Sequence, residues 1–147
     1  MSADYFLDTS VFVHSFDNSD ARKRHVATSL IERALAEDRG VVSYQVVQEF
    51  VSLATRKFAR TMSADTALTY VDGVLEPLCG VHSSIALYRR ALSLHARWRL
   101  SSSDCLIVAA ALEAGCDILY SGELQDGQAI ESLTVVDPFV EGRQAHE

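Results

Sequence analysis

The chain has 147 residues, of which 48% are hydrophobic and 22% charged, with a formal net charge of −7. That length fits one domain with a sizeable core, and the acidic balance argues against a protein that coats nucleic acid by bulk attraction. No apolar run approaches the ~18 residues of a membrane span, and the opening Met1-Ser2-Ala3-Asp4 lacks a basic region followed by an apolar stretch, so a cytoplasmic protein with no membrane association is expected.

Tyr5-Phe6-Leu7 is a short apolar run ending in Asp8-Thr9-Ser10, which predicts a buried first strand with a carboxylate at its end. Ser19-Asp20 supplies an N-cap for a helix to about Asp38, with Val26, Leu30, Ile31, Ala34 and Leu35 as its apolar stripe and Gly40 as its stop. Val41-Val42 predicts a second strand. Ser43 then caps a helix with Val46, Val47, Phe50, Val51 and Ala54 inward, and Glu49 lies about two turns in, at the margin of that face. Ser63 caps a further helix with Ala67, Leu68, Val71, Val74 and Leu75 inward, ending near Pro77.

Val81 marks a short third strand, and Ser84 opens a longer helix toward Trp98. Ser101-Ser102-Ser103-Asp104 precedes an apolar run from Cys105 to Leu112, the pattern of a central buried helix carrying Asp104 in its first turn. Gly115 ends that helix. Ile118-Leu119-Tyr120 is a fourth strand, left through Ser121-Gly122-Glu123, and Thr134-Val135-Val136 is a fifth. Strands separated by helices imply parallel pairing, so the expected fold is a three-layer α/β/α sandwich on a short, mostly parallel sheet of about five strands. One domain over residues 1–140 is expected, with a loose tail at 141–147.

Asp8, Glu49, Asp104 and Glu123 each fall at a strand end or in the early turns of the helix that follows, where open α/β sheets collect their active sites. Converging carboxylates repel unless a cation lies between them, and hard cations such as Mg²⁺ or Mn²⁺ take oxygen ligands. A metal-dependent enzyme is the leading expectation. Taken singly, Asp8 reads equally as a turn residue, Asp104 as a partner of the helix dipole and Glu49 as a solvated edge residue.

The remaining motifs narrow the chemistry. No Lys follows Lys57, which removes the late cation that an aspartyl-phosphate site needs, and there is no glycine-rich phosphate loop and no G-x-S-x-G elbow. Cys79, Cys105 and Cys116 have no metal-type spacing and read as reduced, mostly buried thiols. The five histidines show no paired spacing, and Trp98 and the tyrosines read as core or dimer contacts. Basic clusters at Arg22-Lys23-Arg24, Arg56-Lys57, Arg89-Arg90 and Arg97-x-Arg99 are either solvated helix faces or local grips for phosphate. Carboxylates, hydroxyls at Thr9, Ser10, Ser101 and Ser121, and scattered arginines suit metal-assisted phosphodiester hydrolysis.

The blocks Phe6-Leu7-Asp8-Thr9-Ser10-Val11, Gln48-Glu49-Phe50, Leu100 to Ala111 and Ile118 to Gly127 resemble, in order and spacing, those of the PIN-domain family, and within it the VapC-type toxins. The resemblance implies a PIN-like fold and a Mg²⁺- or Mn²⁺-dependent endoribonuclease, a homodimer held inactive by a small antitoxin. It implies Asp8, Glu49 and Asp104 as metal ligands, Thr9 as a hydroxyl near metal or phosphate, and Ser101 as a supporting hydroxyl behind the ligands. Relatives commonly show Ser-Glu-Asp where this chain has Ser121-Gly122-Glu123, so the fourth ligand falls to Glu123, with Asp126 in reserve. The alternatives are a non-catalytic PIN-like module that binds RNA or protein over a degraded metal site, and a metal-dependent phosphatase on a related sheet.

Overall fold

A computed structural model describes residues 3–142. The tail expected at residues 141–147 lies, past Gly142, outside the described residues. The strands are β1 (Tyr5–Leu7), β2 (Gly40–Ser43), β3 (Cys79–Val81), β4 (Ile118–Tyr120), β5 (Ala129–Ile130) and β6 (Leu133–Val136). The helices are α1 (Thr9–Ser15), α2 (Ala21–Glu37), α3 (Tyr44–Arg56), α4 (Ala64–Tyr70), α5 (Glu76–Leu78), α6 (Ile85–Trp98) and α7 (Ser102–Glu113), with a π-helical turn at Val71–Leu75.

One sheet runs in the order β3-β2-β1-β4-β6-β5. All neighbours are parallel except β5 and β6. The chain builds outward from β1 to β2 and β3, then returns across β1 to place β4 and β6 on its other side. Right-handed crossovers in opposite directions put the two sets of helices on opposite faces, which gives the expected three-layer α/β/α, PIN-like architecture. They also make the gap beyond the carboxyl ends of β1 and β4 the topological switch point, where such sheets bind ligands. Asp8 follows β1 and Ser121 follows β4.

The core explains why the elements sit so firmly. Phe6, Leu7, Val42, Leu119 and Val135 are fully covered on the sheet, and Cys105, Val108, Ala109, Ala110 and Ala111 are buried almost all round α7. Phe50 is buried in a ring cluster, stacked on Tyr70 with centroids 4.8 Å apart and edge-on to Phe12 and Phe58. That cluster fixes the rotation of α3, and so the direction in which the next residue back, Glu49, leaves the helix.

Five local readings need correction, the first being Leu35, set in the apolar stripe of α2 but 38% exposed, one residue past the buried Ala34. The sheet has six strands, because the two-residue β5 folds back on β6 through Glu131-Ser132, with Glu131 at φ 55°, and neither turn residue carries a glycine or asparagine signal. The short α1 escapes the pattern because its N-cap is Asp8 itself, whose side chain accepts from the Thr9 amide. Helix α2 ends at Glu37 with Asp38 in the left-handed region at φ 56°, while Gly40 instead opens β2 where β1 and α2 press close. Leu68 faces solvent at 57% exposure, since the π-helical turn inserts a residue and rotates the buried stripe of α4 away from it.

Candidate metal centre

The sheet and α1 assemble the first half of the site. Asp8 is only 7% exposed. Its Oδ1 accepts from the Thr9 amide at 2.7 Å and its Oδ2 from the Ser121 hydroxyl at 2.7 Å. Ser121 Oγ in turn accepts from the amides of Glu123 and Leu124 at 3.1 and 3.2 Å, and Ser10 Oγ accepts from the Gly122 amide at 2.9 Å. The loop after β4 is thereby tied to the start of α1. Burial pushes the Asp8 carboxyl up to about 6; hydrogen bonds from Ser121 and Thr9 oppose the rise, and the nearby Glu123 and Glu49 carboxylates add to it.

Helices α3 and α7 supply the second half. Ser101 caps α7 by accepting from the Asp104 amide at 3.0 Å, which holds Asp104 in the first turn, where the helix dipole favours a carboxylate. Glu49 is strung between the halves. Thr9 Oγ1 donates to its Oε1 at 2.5 Å, and Gln45 Nε2 and Ser103 Oγ donate to its Oε2 at 3.2 and 3.3 Å.

Asp8, Thr9, Glu49, Asp104 and Glu123 all line one cleft of about 670 Å³. Ser101 stands behind it as a cap, and Asp126 is not on its wall; Asp126 Oδ1 accepts from the Asp137 amide at 2.8 Å, between the loop after β4 and the end of β6. Ser43 occupies the N-cap position of α3 without a side-chain bond. Gln45, Ser103, Tyr44 and Tyr88 line the cleft as well, and sequence reasoning passed over them. Gln45 lies one helical turn before Glu49, a spacing that marks a side-chain partner. Tyr44 and Tyr88, read as core or dimer contacts, meet at the rim with hydroxyls 2.8 Å apart.

Among the described residues, no three acidic, histidine or cysteine side chains stand close enough together to hold a metal ion as placed. The donor set nevertheless fits a hard cation. Among the described residues the cleft wall carries four carboxylates and no Lys, Arg or His, so none of them offsets that charge. Asp8, Glu49, Asp104 and Glu123 are the residues that would hold Mg²⁺ or Mn²⁺ there.

Comparison with known proteins adds the lineage. The PIN domain family model matches residues 5–126. The chain belongs to the PIN domain family. No curated protein matches the sequence. Several solved PIN-like structures share the fold. A toxin-antitoxin complex from Klebsiella pneumoniae aligns at 18% identity over 92% of this chain and 98% of that one, with a TM-score of 0.66. A DNA-bound VapBC from Salmonella typhimurium aligns at 16% identity over 90% and 96%, with a TM-score of 0.63. VapC20 of Mycobacterium tuberculosis, described as a toxin that cleaves the sarcin-ricin loop, aligns at 19% identity over 82% and 92%, with a TM-score of 0.58. In this PIN domain no described helix is long and apolar enough to cross a membrane.

Proposed function

We propose that this PIN domain is a Mg²⁺- or Mn²⁺-dependent endoribonuclease, the toxin of a toxin-antitoxin pair, working in the cytoplasm as a homodimer. The observation that carries the reading is the cleft at the switch point, with four acids on its wall and, among the described residues, no basic side chain to balance them. Its fold neighbours support the toxin assignment, since they include VapBC complexes and an RNA-cleaving toxin. A bound divalent ion would supply an activated water and offset the charge growing on the scissile phosphate.

The protein's own groups do the positioning. Ser121 and the Thr9 amide hold Asp8 in one orientation before anything binds. Thr9 couples Glu49 to that end of the cleft, and Ser101 keeps Asp104 at the tip of α7. An acidic cleft also suits an antitoxin that inserts an Arg or Lys as its inhibitory contact.

The test is incubation of purified protein with structured RNAs, with and without EDTA. EDTA-sensitive cleavage that Asp8→Asn abolishes supports the reading; no cleavage, or equal cleavage by the variant, sinks it. The non-catalytic alternative is favoured by one observation, the separation of the acids as placed. Calorimetric titration with Mn²⁺ decides between the two, because saturable binding lost in Asp104→Asn belongs only to an intact site.

A further inference from the structure

Gln45 has a position that nothing in the proposed chemistry yet uses. It is 8% exposed, on the first turn of α3, and its amide nitrogen reaches three acceptors: Glu49 Oε2 at 3.2 Å, Ser103 O at 3.1 Å and Ser103 Oγ at 3.0 Å. A carboxylate and a main-chain carbonyl cannot donate, so the amide must turn its nitrogen to them. That choice leaves Oε1 buried with no hydrogen-bond partner, a destabilising arrangement that buried polar groups usually avoid. The protein keeps the nitrogen side satisfied at the expense of the oxygen side.

The three acceptors sit on two elements. Glu49 belongs to α3, and Ser103 is the residue before Asp104 on α7. Thr9, the residue after Asp8, grips the other oxygen of Glu49. The Glu49 carboxylate is therefore held at both ends, by a neighbour of Asp8 on one side and by Gln45 with a neighbour of Asp104 on the other. Removing Gln45 would leave Glu49 Oε2 with only the longer Ser103 hydroxyl bond at 3.3 Å, and would break the bond from α3 to the Ser103 carbonyl in the turn that carries Asp104.

We propose that Gln45 is a positioning residue, clamping Glu49 to the first turn of α7 so that the acids of α3 and α7 face a divalent cation at a fixed separation. The inference rests on the metal-dependent reading of the cleft. Partners behind metal ligands are worth about 10–100-fold in metal affinity when removed, which sets the scale of the effect.

The experiment uses the full chain. Mn²⁺ affinity by calorimetry, melting temperature of the metal-free protein, and kcat and KM on an RNA oligonucleotide are compared for the unaltered protein, Gln45→Met and Ser103→Ala. Methionine matches the length of glutamine without donor or orphaned acceptor, so Gln45→Met is expected to lose about tenfold or more in Mn²⁺ affinity. Its melting temperature should hold or rise, and kcat should fall while KM for RNA stays unchanged. Ser103→Ala, which keeps the Gln45 contacts to Glu49 and to the main-chain carbonyl, should show a smaller loss in the same direction. Mn²⁺ affinity unchanged in both variants overturns the clamp alone. Affinity lost only together with melting temperature in both variants also overturns it, since that is the mark of general damage. Absence of Mn²⁺ binding by the unaltered protein overturns the metal reading and the clamp with it.

Discussion

Ser121 Oγ donates to Asp8 Oδ2 at 2.7 Å across 113 residues of sequence, joining the loop after β4 to the end of β1. The same oxygen accepts two amides of its own loop, so one hydroxyl fixes both the buried carboxylate and the backbone that carries Glu123. The bond favours the ionised form of Asp8, and burial opposes it more strongly. Ionised Asp8 is thus a cost to the metal-free protein, one that the proposed cation would relieve.

The sign of the pH dependence follows. With Asp8 raised from 3.8 to about 6, the folded protein binds more protons than the unfolded chain between those values, so the stability from this group falls as pH rises through that window. At neutral pH the loss has a ceiling of about 3 kcal/mol, at ~1.4 kcal/mol per unit. Asp8→Asn removes the charge and keeps one of the two bonds, since its single amide oxygen can accept from the Thr9 amide while the NH2 group in place of Oδ2 cannot accept from Ser121. It is expected to abolish cleavage, raise the melting temperature of the metal-free protein at pH 7 and flatten its change between pH 4 and 6. Thermal melts of both proteins in EDTA across that range provide the check.

Metal binding should show the opposite pH trend. A ligand must be deprotonated to bind, so Mn²⁺ affinity should weaken as pH drops through about 6. Calorimetry at several pH values in one ionic strength tests it, and an affinity constant flat from pH 7.5 to 5.5 would contradict a role for Asp8 as ligand.

Gly40 sits where β2 starts under α2. A methyl group there would lie 2.7 Å from both Ala34 Cβ and Tyr5 Cε2. Gly40→Ala should cost about 1–3 kcal/mol, the usual penalty for overfilling a packed site. Urea unfolding at constant m-value reads it out.

The departure from the Ser-Glu-Asp pattern at Gly122 has a steric counterpart. A Cβ there would stand 3.0 and 3.1 Å from Cδ2 and Cε2 of Phe139, whose ring lies 4.4 Å from that of His14 and whose carbonyl accepts from Arg22 at 2.7 Å. Gly122→Glu is expected to destabilise by about 1–3 kcal/mol, and Phe139→Ala to recover at least ~0.5 kcal/mol of that loss. A double-mutant cycle by chemical unfolding, with purely additive effects as the contrary result, measures the coupling.

Ser101→Ala removes the α7 cap. A loss of about 1 kcal/mol is expected, measurable by urea unfolding.

How much of this was legible in the sequence depends on how local each signal is. Strands β1, β2, β4 and β6 and helices α3, α6 and α7 could be read from apolar runs and caps lying within a few residues of one another. Ser63 and Ser84 do accept amides of the helices they were expected to open, and Ser101, named only as a supporting hydroxyl, turns out to cap α7. Helix α1 was missed because Asp8 serves as both strand end and cap, and β5 because two residues and a Glu-Ser turn carry no pattern. Leu68 was misplaced because a π-helical turn has no sequence mark. At the site, the acids were named by their place at strand ends and early helical turns, which topology brings to one cleft. The spacing of Gln45 to Glu49 was a local signal, but its bonds to Ser103, 58 residues away, form only when α3 and α7 pack together. Asp126, three residues further along the same loop as Glu123, turns to the Asp137 amide instead.

The sheet's outermost strands are very short, two residues in β5, which runs against its neighbour, and three in β3. Such brief rims offer a foreign strand too few free amides and carbonyls to zip onto, so ribbon-like growth from either border is discouraged. Any pairing of two copies is accordingly expected to use surfaces other than the sheet's edges.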